Sequence, residues 1–420
     1  MLPYLHLAWV LIALFEILVV KNPLGPSRIL GFVFYILALV TIPAWEVSKF
    51  SSGSGITTYL DFGTGDEFQI CLVVASIGFQ LASLSSSSIW GHYRINLRES
   101  AKSLERFSFA GSFGLLLLWA IGQGPSLFSR NTYLQTDGFL AVLRPLAFAA
   151  PLAAALLFLV SVLYSKSRRT SAYVLGISWF IVLIAVGSRS ALLFLIILVA
   201  VVMKILIKNF GKAFGLAGQI FFPPLAFYFL LLSFSATLWA RANPHGLSRI
   251  TILFNNPSSP SLLDLTSWWD TLSALLISFA SIYPIVTLSV LKPAPMGLIL
   301  ENSSPLPTEF LGLSPNNSAE FLLPWLPKAL LGEFLGLFGV LGLLLIVFAM
   351  ALAAEFFYLK ATKNNQMTLA AVIGASLIAA FLLSLQYPSR VTMRIYSLTY
   401  LAPLAVLAIK SFVRNRRRRF

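Results

Sequence analysis

The stretch LIAVGSRSALLF, residues 183–194, sets one cation, Arg189, between two apolar runs with only Gly187, Ser188 and Ser190 beside it. If Gly187-Ser188 breaks the backbone, residues 173–187 and 190–207 are two antiparallel helices with Arg189 at their apex. If it does not, residues 173–203 form one helix about 46 Å long at 1.5 Å per residue. That is longer than the ~30 Å apolar thickness of a bilayer requires. The glycine–serine break favours the hairpin, and an arginine at the apex then needs a partner.

The rest of the chain says what kind of protein surrounds that turn. Of its 420 residues, 58% are hydrophobic and 11% charged, and mean hydropathy is +0.85. These values describe a polytopic membrane protein. A single cysteine, Cys71, rules out an internal disulfide, and the three histidines His6, His92 and His245 are too scattered for a metal site. The apolar run Tyr4 to Val20 lacks a basic leader and a small-residue cleavage site, so it reads as a retained first span. Net charge is +15, but the basic residues sit in short loops with no nucleic-acid-binding module among them. Membrane orientation accounts for them, and no nucleic-acid partner is expected.

Windows of roughly 17 to 25 apolar residues place spans near 4–20, 29–45, 68–89, 107–122, 139–164, 173–187, 190–207, 213–239, 332–357, 367–386 and 395–412. The expected fold is therefore all-α, with about eleven transmembrane helices. Alternate loops collect Lys21 and Arg28, Arg94 to Arg106, Lys166 to Arg169, Lys204 to Lys212, Lys360 and Lys363, and the tail KSFVRNRRRRF. Together they hold 20 of the 30 basic residues. By the positive-inside rule that side is the cytoplasm, so the amino terminus is periplasmic and the carboxyl terminus cytoplasmic.

Three segments follow: residues 1–239 with the first eight helices, 240–331 as a large periplasmic loop with short helices, and 332–420 with the last three helices and the basic tail. The loop is rich in Pro, Ser and Asn, as in NNPSSPSLLD and ENSSPLPTEFLGLSPNNS, and loops of such length usually carry function. Residues 270–291 are long enough to span, but Tyr283, Pro284 and several serines suit a helix on the outer face or one dipping into the bundle. Were that segment to cross while 173–203 formed one helix, the later topology would be unchanged, with 19 basic residues inside.

A helix, the GSRS turn at 187–190, a second helix, a long outer loop and then LLGEFLGLFGVLG, residues 330–342, together resemble the bacterial O-antigen polymerases of the Wzy type. O-antigen ligases resemble the same pattern. An Arg-x10-Gly element of some polymerases is absent, since no arginine here has glycine eleven positions on. The resemblance implies a membrane fold similar to the class C-type glycosyltransferases. It implies a metal-independent enzyme, without cofactor, acting on undecaprenyl-pyrophosphate-linked glycans at the outer face of the bacterial inner membrane. Such an enzyme moves the growing chain from its lipid pyrophosphate onto a new lipid-linked repeat unit. Membrane lipids surround it, and a polysaccharide chain-length regulator is an expected partner.

The residues bear on that chemistry directly. A departing lipid pyrophosphate needs cations or a metal. No Asp-x-Asp pair occurs, and arginine forks match phosphate oxygens bidentately. The outer side offers Arg144, Arg189, Arg241, Arg249, Arg390 and Arg394 as pyrophosphate ligands. Arginines at span ends also snorkel to lipid headgroups, and both readings stand for all but Arg189. For Arg189 the ligand role is favoured, because no carboxylate lies between Asp137 and Asp264 to pair with it. Candidate bases for the attacking sugar hydroxyl are Glu333, His245, Asp264 and Asp270. Glu333 opens a helix and could equally complement its dipole, whereas His245, between Pro244 and Gly246, has the setting of a plain surface histidine. Trp268 and Trp269 fit an interfacial belt or a sugar-stacking surface. Glycines 332, 336, 339 and 342 suit close helix packing.

A different class of function, a lipid-linked glycan flippase or proton-coupled transporter, is raised by His6 and Glu16 in the first span. Their faces lie some 80° apart at about 100° per residue, which makes a poor relay.

Overall fold

The computed structural model describes residues 2–16, 18, 25–51, 66–90, 109–114, 116–118, 120–121, 169–185, 280–302, 321–323, 326–364, 366–387 and 389–417. These residues are almost wholly helical. The elements are α1 (Leu2–Phe15), α2 (Pro26–Ser51), α3 (Asp66–Trp90), α4 (Arg169–Ala185), α5 (Ile282–Leu291), α6 (Met296–Asn302), a small hairpin of β1 (Phe321–Leu323) and β2 (Leu326–Pro327), then α7 (Leu330–Lys363), α8 (Met367–Leu383) and α9 (Ser389–Arg417). Among them, α2, α3 and α7 contain stretches long and apolar enough to cross a membrane, Pro26–Glu46, Asp66–Ser88 and Leu330–Lys363. The expected spans near 139–164, 190–207 and 213–239 lie outside the described residues.

Packing divides the chain into residues 1–96 with 276–420, and residues 97–275. α5 and α6, which fall in the stretch expected as an outer loop, belong to the first of these units. In the second unit, the Trp179 indole of α4 donates to the Ser112 carbonyl, with Phe109 and Phe113 stacked nearby.

In the first unit α3 is the central helix. Phe68, Cys71, Leu72, Ala75, Phe79 and Ala82 are all completely buried, and α1, α2, α5 and α7 pack around them. Leucines on the outward faces of α1, α7 and α9, such as Leu11, Leu341 and Leu407, are more than half exposed, while Ser76, Gln80 and Glu16 are completely buried. Apolar outside and polar inside is the distribution of helices whose solvent is lipid. Ser76 is bonded across helices: the Trp9 indole donates to Ser76 Oγ, which donates to the Gly31 carbonyl at 2.5 Å. Trp9 also stacks on Tyr35 at 3.7 Å.

Within the stretch 270–291, the structure describes α5, which is ten residues long, about 15 Å, and buried from Ile282 to Ser289. It is packed inside the bundle, and residues 270–279 lie outside the described residues. Pro284 sits in its first turn, where a missing N–H costs nothing, and Thr287 and Ser289 turn their hydroxyls back to the carbonyls of Tyr283 and Ile285. Two glycines of α7 make room for it. A Cβ on Gly332 would lie 2.6 Å from the Val286 carbonyl oxygen, and one on Gly336 would lie 2.4 Å from that of Val290.

Candidate functional site

The start of α7 meets the end of α5 with the residues after it, and the α8–α9 turn, at one end of the first unit. The Leu330 and Leu331 amides donate to the carbonyls of Tyr387 and Ser384, both at 3.3 Å. The Ala329 amide donates to Ser289 Oγ at 2.8 Å. These bonds satisfy amides that a helix start leaves orphaned, so the beginning of α7 is closed by protein and not offered to an anion.

Glu333 lies one turn in. It is 1% exposed, and its Oε1 accepts a hydrogen bond from the Ala294 amide at 3.1 Å. The carboxylate therefore tethers the Lys292–Pro295 loop to α7. Lys328 sits alongside, also buried. Burial pushes its ammonium below the ordinary 10.5, Glu333 counteracts that by favouring the charged form, and Lys292 adds to the lowering. Arg390 and Arg394, four residues apart on one face of α9, are half-buried and already engaged within the protein. Helix α6 packs against α9.

Three of the nine expected site residues are described: Glu333 is in the first turn of α7, Arg390 follows the α8–α9 turn that bonds there, and Arg394 lies two residues before Tyr396, whose hydroxyl donates to the Met350 carbonyl well along α7. Arg144, Arg189, Arg241, His245, Arg249 and Asp264 lie outside the described residues, as does Asp270. Lys292 and Lys328 were missed by the sequence reading, which looked for arginine forks; their signal was position, one on each side of the Pro- and Asn-rich stretch that leads into α7.

A second charged group occupies the other end of α7. Glu16 Oε1 accepts from Ser83 Oγ at 2.6 Å and lies 3.7 Å from Arg28 Nε. Glu355 Oε1 accepts from the Ser27 amide at 2.8 Å. Arg28, counted among the cytoplasmic loop cations for orientation, is instead in the first turn of α2 and buried. His6, ten residues from Glu16, is elsewhere, edge-on to Tyr35 at 5.6 Å. Glu355 had a legible signal, a carboxylate amid more than twenty apolar residues, but the sequence does not show which helices meet it.

No family model matches the chain, and neither curated proteins nor solved structures give a match.

Proposed function

We propose that the chain is a membrane glycosyltransferase of the O-antigen polymerase type, extending a glycan on undecaprenyl pyrophosphate at the periplasmic face of the bacterial inner membrane. The observation that supports this reading is the placement of Lys292, Lys328 and Glu333 at the start of α7, with Arg390 following the α8–α9 turn that bonds there. In the reaction, the anomeric C–O bond to the lipid pyrophosphate breaks and a glycosidic bond to the acceptor hydroxyl forms. The hydroxyl proton passes to a base or to the departing diphosphate. Cations at this end offset the charge that develops on the leaving group. The proposed topology has about eleven spans, the amino terminus outside and the tetra-arginine tail inside, with Arg189 at an outer turn adding to the clamp. Glu333, buried and tethering a backbone amide, fits the role of holding the loop better than that of a base open to substrate.

The test is a cell-free assay with purified protein and synthetic lipid-linked repeat units. Ladders of product are expected. Single transfer to lipid A core would make the protein a ligase, and lipid movement with no new bond would make it a flippase. Arg390→Ala and Arg394→Ala should slow ladder formation by about 10²-fold or more, the usual loss when a group stabilising transition-state charge is removed. Undiminished ladders in both variants would remove these two arginines from the clamp.

A further inference from the structure

Glu333 and Glu355 are 22 residues apart on α7, and the 16 residues from the kink at Gly339 to Glu355 span roughly 24 Å at 1.5 Å per residue, so the Glu355 end is remote from Glu333 and the lysines beside it. Four helices meet there. α1 leads into Glu16, α2 brings Ser27 and Arg28, α3 brings Ser83, and α7 brings Glu355. Glu16 is 0%, Glu355 2% and Arg28 7% exposed. Adjacent residues of α2 hold the two carboxylates, the Ser27 amide at 2.8 Å from Glu355 Oε1 and Arg28 Nε at 3.7 Å from Glu16 Oε1, and Gly25 leaves room for Glu355, whose Oε1 would lie 3.0 Å from a Cβ added there.

No other charge among the described residues closes the balance. Lys360, the next cation along α7, is exposed and lies over the Phe356 ring at 5.5 Å. The half of α3 that carries Ser83 has no charged residue, and neither does α8, which approaches α2 where Gly374 meets Pro26. Among the described residues, one guanidinium therefore faces two carboxylates. A second ionised carboxylate would stand uncompensated in a low-dielectric interior, which is too costly to persist when a proton can neutralise it.

A metal cation is the other neutraliser, but Arg28 at 3.7 Å from Glu16 repels one. Among the described residues no three His, Cys, Asp or Glu side chains converge to hold one. A proton needs only an acceptor for the acid O–H. Two buried oxygens stand ready: Ser27 Oγ, and Glu16 Oε2, which has no hydrogen-bond partner among the described residues. The Ser27 hydroxyl belongs to the residue whose amide already holds Glu355.

We propose that Glu16 and Glu355 form a proton-binding site in the interior of the helix bundle, sharing one proton at neutral pH while Arg28 neutralises the carboxylate left ionised. The site joins α1, α2, α3 and α7, so its proton is part of what holds them in register. It is independent of the polymerase reading and uses none of the residues assigned there.

Infrared spectroscopy of the full-length protein in lipid vesicles at neutral pH tests this, read at the carbonyl stretch of un-ionised carboxylic acid. Glu16→Gln and Glu355→Gln should each lose one acid carbonyl relative to the parent, because a single remaining carboxylate is balanced by Arg28. Arg28→Gln should gain one. If that variant fails to fold, the two glutamate variants decide alone, and an acid signal that persists undiminished in either of them overturns the shared site. Exchanging choline for sodium should leave the signal unchanged. A signal lost in sodium would make a metal ion the occupant and overturn the proton.

Discussion

A methyl group added to Gly336 would press on the backbone carbonyl of Val290 at 2.4 Å, and a backbone cannot swing aside as a long side chain can. Gly336→Ala should therefore cost about 1–3 kcal/mol, the usual range for overpacking a tight contact. Gly297 in α6 provides the contrast: its added Cβ meets nothing within 4 Å. Gly297→Ala should be neutral or gain up to ~1 kcal/mol from helix propensity. Denaturation of the two variants in the same detergent separates them, and equal stabilities would mean that α5 does not dock on α7. The spacing 332, 336, 339, 342 is visible in the sequence, and close packing is the correct reading of its first half. It does not hold for Gly339, and Gly342 meets only Phe338 on its own helix. Small residues spaced along a helix show where a neighbour can approach; only the position of α5 shows where one does.

At the scale of the element, α7 is two helical pieces joined at Gly339, whose φ of 67° and ψ of −174° are not helical. That conformation belongs almost solely to glycine, although a Cβ there would touch nothing. Gly339→Ala should therefore destabilise by about 1–3 kcal/mol from backbone strain alone, with cysteine cross-links as a second readout. Pairs joining the Glu333 end to α5 should shift their efficiency, while pairs joining the Glu355 end to α2 should not. Unchanged stability and cross-linking would mean that α7 tolerates a straight course. The sequence does not show this kink, since glycine inside an apolar helix more often marks packing. Element ends were legible only up to their first charges. Hydropathy begins a span at 29 and another at 395, whereas α2 starts at Pro26 and α9 at Ser389. The difference is physical: hydropathy reports affinity for lipid, while a helix is defined by its backbone bonds. Arg28, Arg390 and Arg394 are therefore helical residues that an apolar window excludes.

For the whole molecule, the sequence made the membrane character plain, because 58% hydrophobic residues cannot all be buried inside protein, and the exposed leucines of α1, α7 and α9 now show where they go. Which of the residues from 183 onward face which side depends on the turn at Arg189. A hairpin there puts positions 189 and 245 outside and 208 inside. A single helix over 173–203, compensated by a crossing at 270–291, puts 208 outside and 245 inside, with 189 held within the bilayer. The later spans and the tail come out the same way in both, so neither the tail nor the total charge separates them. The protein is suited to single-cysteine labelling, since Cys71 is its one cysteine and is completely buried. With Arg189→Cys, Lys208→Cys and His245→Cys introduced one at a time in intact cells, a membrane-impermeant maleimide should label 189 and 245 directly and 208 only after permeabilisation. The opposite pattern at 208 and 245 would remove Arg189 from the outer surface. The proposed clamp would then rest on the α9 arginines and the lysines beside α7, because a guanidinium within the bilayer cannot meet a diphosphate leaving at its edge.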